Sequence, residues 1–190
     1  MLAALRPAAV MILVFTLLTG AAFPLLFTAV GHLALPFQSG GSLLVRNGQV
    51  IGSAIIGQNF TSDKYFHGRP SALMGTDPKD SSKQIPTPYD ASESGASNLA
   101  PTSKALIDRI TGDTKSAMPI DAVTSSGSGL DPDISPANAL QQAARVARAR
   151  HLPLAQVQAL VAAHTEQPLL GFIGEPQVNV LAANLALDTK

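Results

Sequence analysis

The stretch "VTSSGSGLDPDISPANALQQAARVARAR", Val123 to Arg150, sets a glycine-serine turn before an acidic pair, a proline and a basic helix. Backbone N–H groups ahead of a helix make an anion site, so Ser128, Gly129 and their neighbours are the residues that would face a phosphate. Two features oppose that reading. Asp131 and Asp133 already occupy the electropositive end of the coming helix and repel a triphosphate unless magnesium intervenes, and no P-loop lysine follows. The sequence reads better as a capped helix start. Ser135 is the expected N-cap and Pro136 the first-turn residue, while Arg148, Arg150 and His151 at the far end suit the helix dipole.

Other chemistry is sparse. The chain has no G-x-x-x-x-G-K-[ST], no G-x-G-x-x-G and no H-E-x-x-H, and its four histidines, His32, His67, His151 and His164, lack ligand spacing. No catalytic residue and no metal site are expected. With no cysteine, disulfide scaffolds and zinc-cysteine sites are excluded. Asp113-Thr114-Lys115-Ser116 has a partial likeness to the phosphorylated-aspartate loop of P-type ATPases, but threonine and lysine are exchanged and the glycine is missing, so it reads as chance. "YFHGRPSA" is the most pointed cluster. Tyr65, Phe66 and Arg69 form either an interface anchor, since Arg and Tyr are favoured at binding hot spots, or a rigid turn in which the arginine stacks on its own aromatic neighbour. "SGASNLAPTS" reads as a polar turn leading into a helix cap rather than as a ligand loop.

The elements that must position these residues divide in two. Across 190 residues with a formal net charge of zero, the apolar excess is local: Pro7 to Val45 contains no Asp, Glu, Lys or Arg. The core "AAVMILVFTLLTGAAFPLLFTAV" is about 23 residues, enough to cross a hydrocarbon layer of roughly 30 Å as a helix. A cleaved signal peptide is the rival, but the apolar run continues past "TGAA" through "FPLLFTAVGHLAL", longer than an h-region. Residues 1–35 are therefore expected to be an uncut transmembrane anchor. Gly20, Ala21 and Ala22 give it a small face for a partner helix. Arg6 flanks one end, and the next basic residue on the other side is Arg46, so the N-terminus is expected in the cytoplasm and residues 36–190 outside.

That outer part reads as one mixed α/β (α+β) domain. Apolar, β-branched stretches flank Asn47-Gly48, the strongest short hairpin signal. From 58 to about 102 the chain is polar and rich in Ser, Gly and Pro, and a long loop is expected. "PTSKALIDRITG" predicts a short helix with Thr102 as cap and Gly112 as stop. "LAQVQALVAAH" predicts an amphipathic helix with Leu154, Val157, Leu160 and Val161 on one stripe. "VNVLAANLALD" alternates early like a strand and carries alanines and leucines like a helix; helix is preferred.

Taken together, "LRP" before one apolar span, "GSAIIGQNF", "YFHGRPSA", "SGASNLAPTS", "IDAVTSSGSGLDPDIS", "RVARAR" and "GEPQVNVLAANLALD" make the chain resemble the C subunits of bacterial Kdp potassium-transporting ATPases, from about Leu5 to Asp188. The resemblance implies a non-catalytic subunit of a high-affinity potassium uptake complex in the bacterial inner membrane. Its implied partners are a channel-like potassium-binding subunit, a P-type ATPase subunit and a very small stabilising subunit, with no nucleic acid. It also implies a catalytic chaperone that raises the ATPase subunit's affinity for ATP, with nucleotide linked to a glutamine at Gln142, near Ser128 and Gly129; ATP rests on this resemblance alone. The chain departs from the family's pattern at Ala96 and Ala100, where glycine is common, and at Ala183, where leucine is frequent. At the two glycine positions, alanine predicts ordinary backbone. Three classes stand: an assembly and regulatory subunit of a potassium pump, a nucleotide-binding accessory subunit, and a membrane-tethered extracytoplasmic binding domain unrelated to ATP.

Overall fold

The computed structural model describes residues 2–113 and 118–189. It separates into a unit ending at Ile51 and a unit beginning at Gly52. The first opens with α1 (Leu2–Leu17) and α2 (Phe23–Ala34), joined by one π-helical turn, Leu18–Ala22. The stretch Ala3–Ala34 is 32 residues long and predominantly apolar, with Arg6 near its start as its charged residue, about 48 Å at 1.5 Å per residue. Its π turn has a local cause. Pro24 has no N–H to donate, and the ladder shifts so that Phe23 N–H reaches Leu18 O instead. Gly20, Ala21 and Ala22 lie in this turn, and a Cβ on Gly20 would meet nothing within 4 Å.

A single turn, α3 (Pro36–Ser39), leads to the hairpin of β1 (Leu43–Arg46) and β2 (Gln49–Ser53). Asn47 and Gly48 take φ of +52° and +77°, the left-handed pair that a two-residue hairpin turn needs. The expected long loop over 58–102 is corrected in part. It contains a second hairpin, β3 (Met74–Asp77) with β4 (Asp80–Pro86), antiparallel and mostly exposed. Its strand residues are polar because neither face is buried, so no alternation marked it.

Helix α4 (Lys104–Asp113) starts two residues after the proposed Thr102 cap, and Gly112 lies inside it rather than ending it. Thr114, Lys115 and Ser116, from the ATPase-like run, lie outside the described residues. Next come the single turn α5 (Ile120–Val123), β5 (Asp133–Ile134), α6 (Pro136–Arg150), α7 (Leu154–Ala163), β6 (Thr165–Glu166), β7 (Gln177–Asn179) and α8 (Val180–Leu187). The C-terminal stretch, for which helix is preferred from sequence, is helical from Val180 but opens as strand β7. The three short strands form an antiparallel sheet in the order β5-β7-β6, with Val178 opposite both Ile134 and Thr165.

The core of the second unit lies among α6, α7, α8 and β7. From α6, Ala139, Ala143 and Ala147 repeat every four residues and are buried with Val146, so a smooth ridge admits close neighbours. Against it pack Val157, Leu160 and Val161 of α7, Val178 of β7, and Ala183 and Leu187 of α8. Leu154, expected on the same stripe, is 43% exposed at the helix start.

The start of α6 matches its sequence signature, with one correction. Ser135 Oγ accepts from Asn138 N–H at 3.1 Å. The acid at this N-terminus, however, is Asp121 from α5, not Asp131 or Asp133. Its carboxylate accepts from Ser135 N–H (2.7 Å), Ser135 Oγ–H (2.9 Å) and the Asn138 amide (3.0 Å). Burial pushes this carboxyl up, but the three donors outweigh it and the net pKa is lowered. A lowered carboxyl pKa gives stability that is complete above the unfolded-state value and is lost as pH falls through the folded one. Asp121→Ala should therefore cost about 2 kcal/mol at neutral pH, and the difference from wild type should shrink in urea melts taken below about pH 4.

Candidate functional site

The segment Tyr65–Arg69 enters the core but belongs to no strand, and its buried backbone groups need partners. Two side-chain amides supply them. Asn184 of α8 accepts from Phe66 N–H at 2.8 Å and donates to Phe66 O at 3.0 Å. One residue on, Gln142 of α6 accepts from His67 N–H at 2.8 Å and donates to His67 O at 3.0 Å. Each amide thus copies the paired bonding of a neighbouring β-strand. Phe66, held this way, is fully buried.

Arginines of α6 secure the flanks. Arg145 donates to Asp63 O (2.8 Å), Tyr65 O (3.0 Å) and Gln142 Oε1 (2.8 Å). Arg150 donates to Lys64 O (2.6 Å) and Leu187 O (3.0 Å), pairs with Asp188 at 2.7 Å and lies 4.8 Å over the Tyr65 ring. It is therefore Arg150, not Arg69, that stacks on an aromatic of this segment. Arg69 turns the other way. It pairs with Asp131 at 3.0 Å and donates to the Ser125 carbonyl at 3.3 Å.

This fixes the Ser-Gly loop to the segment. Gly129 N–H donates to Ser126 Oγ (2.9 Å), Gly129 O accepts from Ser71 Oγ–H (2.8 Å), and Ser128 O accepts from Gly95 N–H (2.9 Å). Gly129 has φ +72°, and a Cβ on it would sit 2.7 Å from Leu73 Cγ, so glycine is required there. Tyr89 closes the layer by donating its hydroxyl to Arg69 O at 2.7 Å. Burial, with Asp131's charge adding and Arg69's opposing, pushes that hydroxyl up to about 12. Gly57 and Gly68 leave room for its ring and hydroxyl.

Above the clasp lies an open cleft of about 640 Å³, lined by Phe60, His67, Arg69, Tyr89, Gln142 and Arg145 among others. Burial lowers the His67 pKa, with Arg145 adding to the effect while the Ser62 carbonyl and Asp63 oppose it. Burial likewise lowers Arg145 from its ordinary value, Asp63 opposing. Among the described residues no group of three His, Asp or Glu could hold a metal ion.

Of the expected site residues, Tyr65, Phe66, Arg69, Ser128, Gly129 and Gln142 fall into one connected body in the second unit, whereas Gly20, Ala21 and Ala22 lie in the first. Phe66 is core, Tyr65 is covered by Arg150, and Arg69 bonds within the fold. Gln142 and Gly129 belong to the same network, and the Gln142 amide makes four hydrogen bonds inside it, one of them to Asn138. Ala96 and Ala100 have no positive φ, as their departures from glycine implied, and Ala183 lies in helix α8. Sequence reasoning missed Asn184, Asp121 and Tyr89. Asn184 carried a signal, being the one amide inside "VLAANLAL", an otherwise apolar helix.

Fold and site together define a mixed α/β chain led by one apolar helix of membrane-spanning length, its second unit organised around an amide-clasped segment. The profile of the family described as "KdpC: K+-transporting ATPase, c chain" matches residues 5–189, so the chain belongs to that family. A Potassium-transporting ATPase KdpC subunit of Rhodopseudomonas palustris (strain BisB18) is 56% identical over 196 residues, covering 99% of this chain and 98% of that protein. Subunits of the same description from Bradyrhizobium diazoefficiens (54%) and Methylobacterium nodulans (53%) have the same coverage.

Removing an amide strands the backbone it held. Asn184→Ala, in the core, should cost about 3 kcal/mol and Gln142→Ala about 1–2 kcal/mol, because buried donors and acceptors lose their partners. Urea melts of the detergent-solubilised chain check this against the exposed control Gln158→Ala, which should stay within about 0.5 kcal/mol of wild type.

Proposed function

We propose that this chain is an accessory subunit of a potassium-transporting ATPase, without catalytic activity of its own. It is anchored in the bacterial inner membrane by its N-terminal helix, with residues 36–190 on the periplasmic side. The observation that carries this reading is the family match over residues 5–189, which spans the apolar helix and the clasped α/β unit alike. Its partners are a channel-like potassium-binding subunit, the ATPase subunit and a small stabilising subunit. Gly20, Ala21 and Ala22 are the face of the anchor that meets a partner helix.

The same reading assigns any rise in ATP affinity to allostery. With Arg6 holding the N-terminus inside, Gln142, Ser128 and Gly129 are separated from cytosolic ATP by the bilayer. The Gln142 amide is already committed to His67, Asn138 and Arg145. Coupling through the anchor or a partner, typically about 1–3 kcal/mol, favours one conformation of the pump.

Two experiments test these points. Because the chain has no cysteine, single cysteines at the exposed positions Ala91 and Ala159 can be labelled in intact cells with an impermeant thiol reagent. Both should react; protection until lysis would place the unit inside and restore direct ATP contact. In the purified complex, potassium-stimulated ATP hydrolysis across ATP concentrations should show a higher KM for ATP without this chain. Gln142→Ala complexes that remain assembled should keep the wild-type KM within about twofold, and a KM raised as far as that of complexes lacking the chain would favour nucleotide binding at Gln142.

A further inference from the structure

Beyond the clasp and the cleft, the second unit carries an exposed apolar cluster outside its core. Between β6 and β7 the chain forms a hairpin tip in which Leu169, Leu170, Phe172 and Ile173 are 68%, 75%, 76% and 51% exposed. The tip is well built. Leu169 and Ile173 exchange both backbone hydrogen bonds, at 3.1 and 3.0 Å, and Gly171 N–H donates to Pro168 O at 2.9 Å. Leu170 and Gly171 take φ of +56° and +81°. A leucine gains nothing in that position: asparagine or glycine suits the left-handed backbone better, and either suits water better. Four large apolar side chains on a preformed turn make a knob whose ordering cost on binding is already met by its hydrogen bonds.

We propose that this tip docks into an apolar, cation-rimmed pocket on another subunit of the transport complex, an inference that rests on the accessory-subunit reading above. The flanks select that occupant. From Thr165 to Gln177 the charges are Glu166 and Glu175, both exposed, and the segment holds no Lys, Arg, Trp or Tyr. Segments that seat on a lipid surface combine apolar residues with basic ones and with Trp or Tyr at the interface, and these carboxylates oppose anionic headgroups. A second copy meeting it isologously would bring two acidic flanks together. A protein pocket with basic residues at its rim complements both the apolar tip and its acidic shoulders.

The test uses the full complex. With Phe172→p-benzoylphenylalanine, irradiation of membranes before solubilisation should join this chain covalently to another subunit of the ATPase. An adduct with phospholipid, an adduct with a second copy, or no adduct would overturn the proposal. Leu170→Ser with Phe172→Ser should lower recovery of the other subunits at least tenfold while leaving the melting temperature of the solubilised chain unchanged. Glu175→Lys should lower recovery severalfold, more at low salt than at high salt. If wild-type chain recovers the ATPase subunits and these variants do equally well, the docking surface is wrong and the accessory reading stands; if wild-type chain recovers none of them, both fall.

Discussion

A buried backbone segment without a strand partner is the constraint on which the second unit depends. Phe66 has to reach the core, yet Tyr65–Arg69 crosses it outside any sheet, and each unpaired N–H or C=O there would cost about 1–3 kcal/mol. Asn184 and Gln142 remove that cost with one amide each, donating and accepting on the same residue. Because these amides sit on α8 and α6, the segment also ties the two helices to one position. The alanine ridge of α6 then allows α7 and α8 to pack closely around Val146.

The same segment organises the loops beyond it. Arg69 leaves the clasp to meet Asp131 and the carbonyls of the Ser-Gly loop, and Tyr89 caps the Arg69 carbonyl from the other side. The result is a polar layer whose groups are largely paired with one another. Cost remains within it: burial, with the neighbouring charges of Asp131 and Glu166, raises the Asp133 carboxyl despite a hydrogen bond from Asn179. That layer forms the floor of the cleft, so its polar lining is first of all structural.

Local signals were legible and long-range ones were not. Asn47-Gly48, the Ser135 cap, the Val157-Leu160-Val161 stripe and the apolar N-terminal run each depend on neighbouring residues, and each matched the structure. The β3–β4 hairpin was hidden because both its faces are wet and its residues polar. Asp121 was missed because the helix it serves begins 15 residues later in the chain, at Pro136. Tyr65, Phe66 and Arg69 were recognised as important, but an aromatic-arginine cluster reads alike in an interface and in a core crossing. Their partners within the fold, Asp188, Asn184 and Asp131, stand 62 to 123 residues away along the chain, beyond the reach of local reading. Family resemblance supplied the pump; the geometry supplied what its marked glutamine does in this fold.

The central claim is that two side-chain amides act as the missing strand for Phe66 and His67. Native-state hydrogen exchange on the full-length chain reads those two amides directly, since both N–H groups donate only to a side chain. The account predicts that Phe66 and His67 exchange only through global unfolding, as slowly as the core amides of α6. Rapid exchange, at the rate of the exposed β3–β4 hairpin, would contradict it.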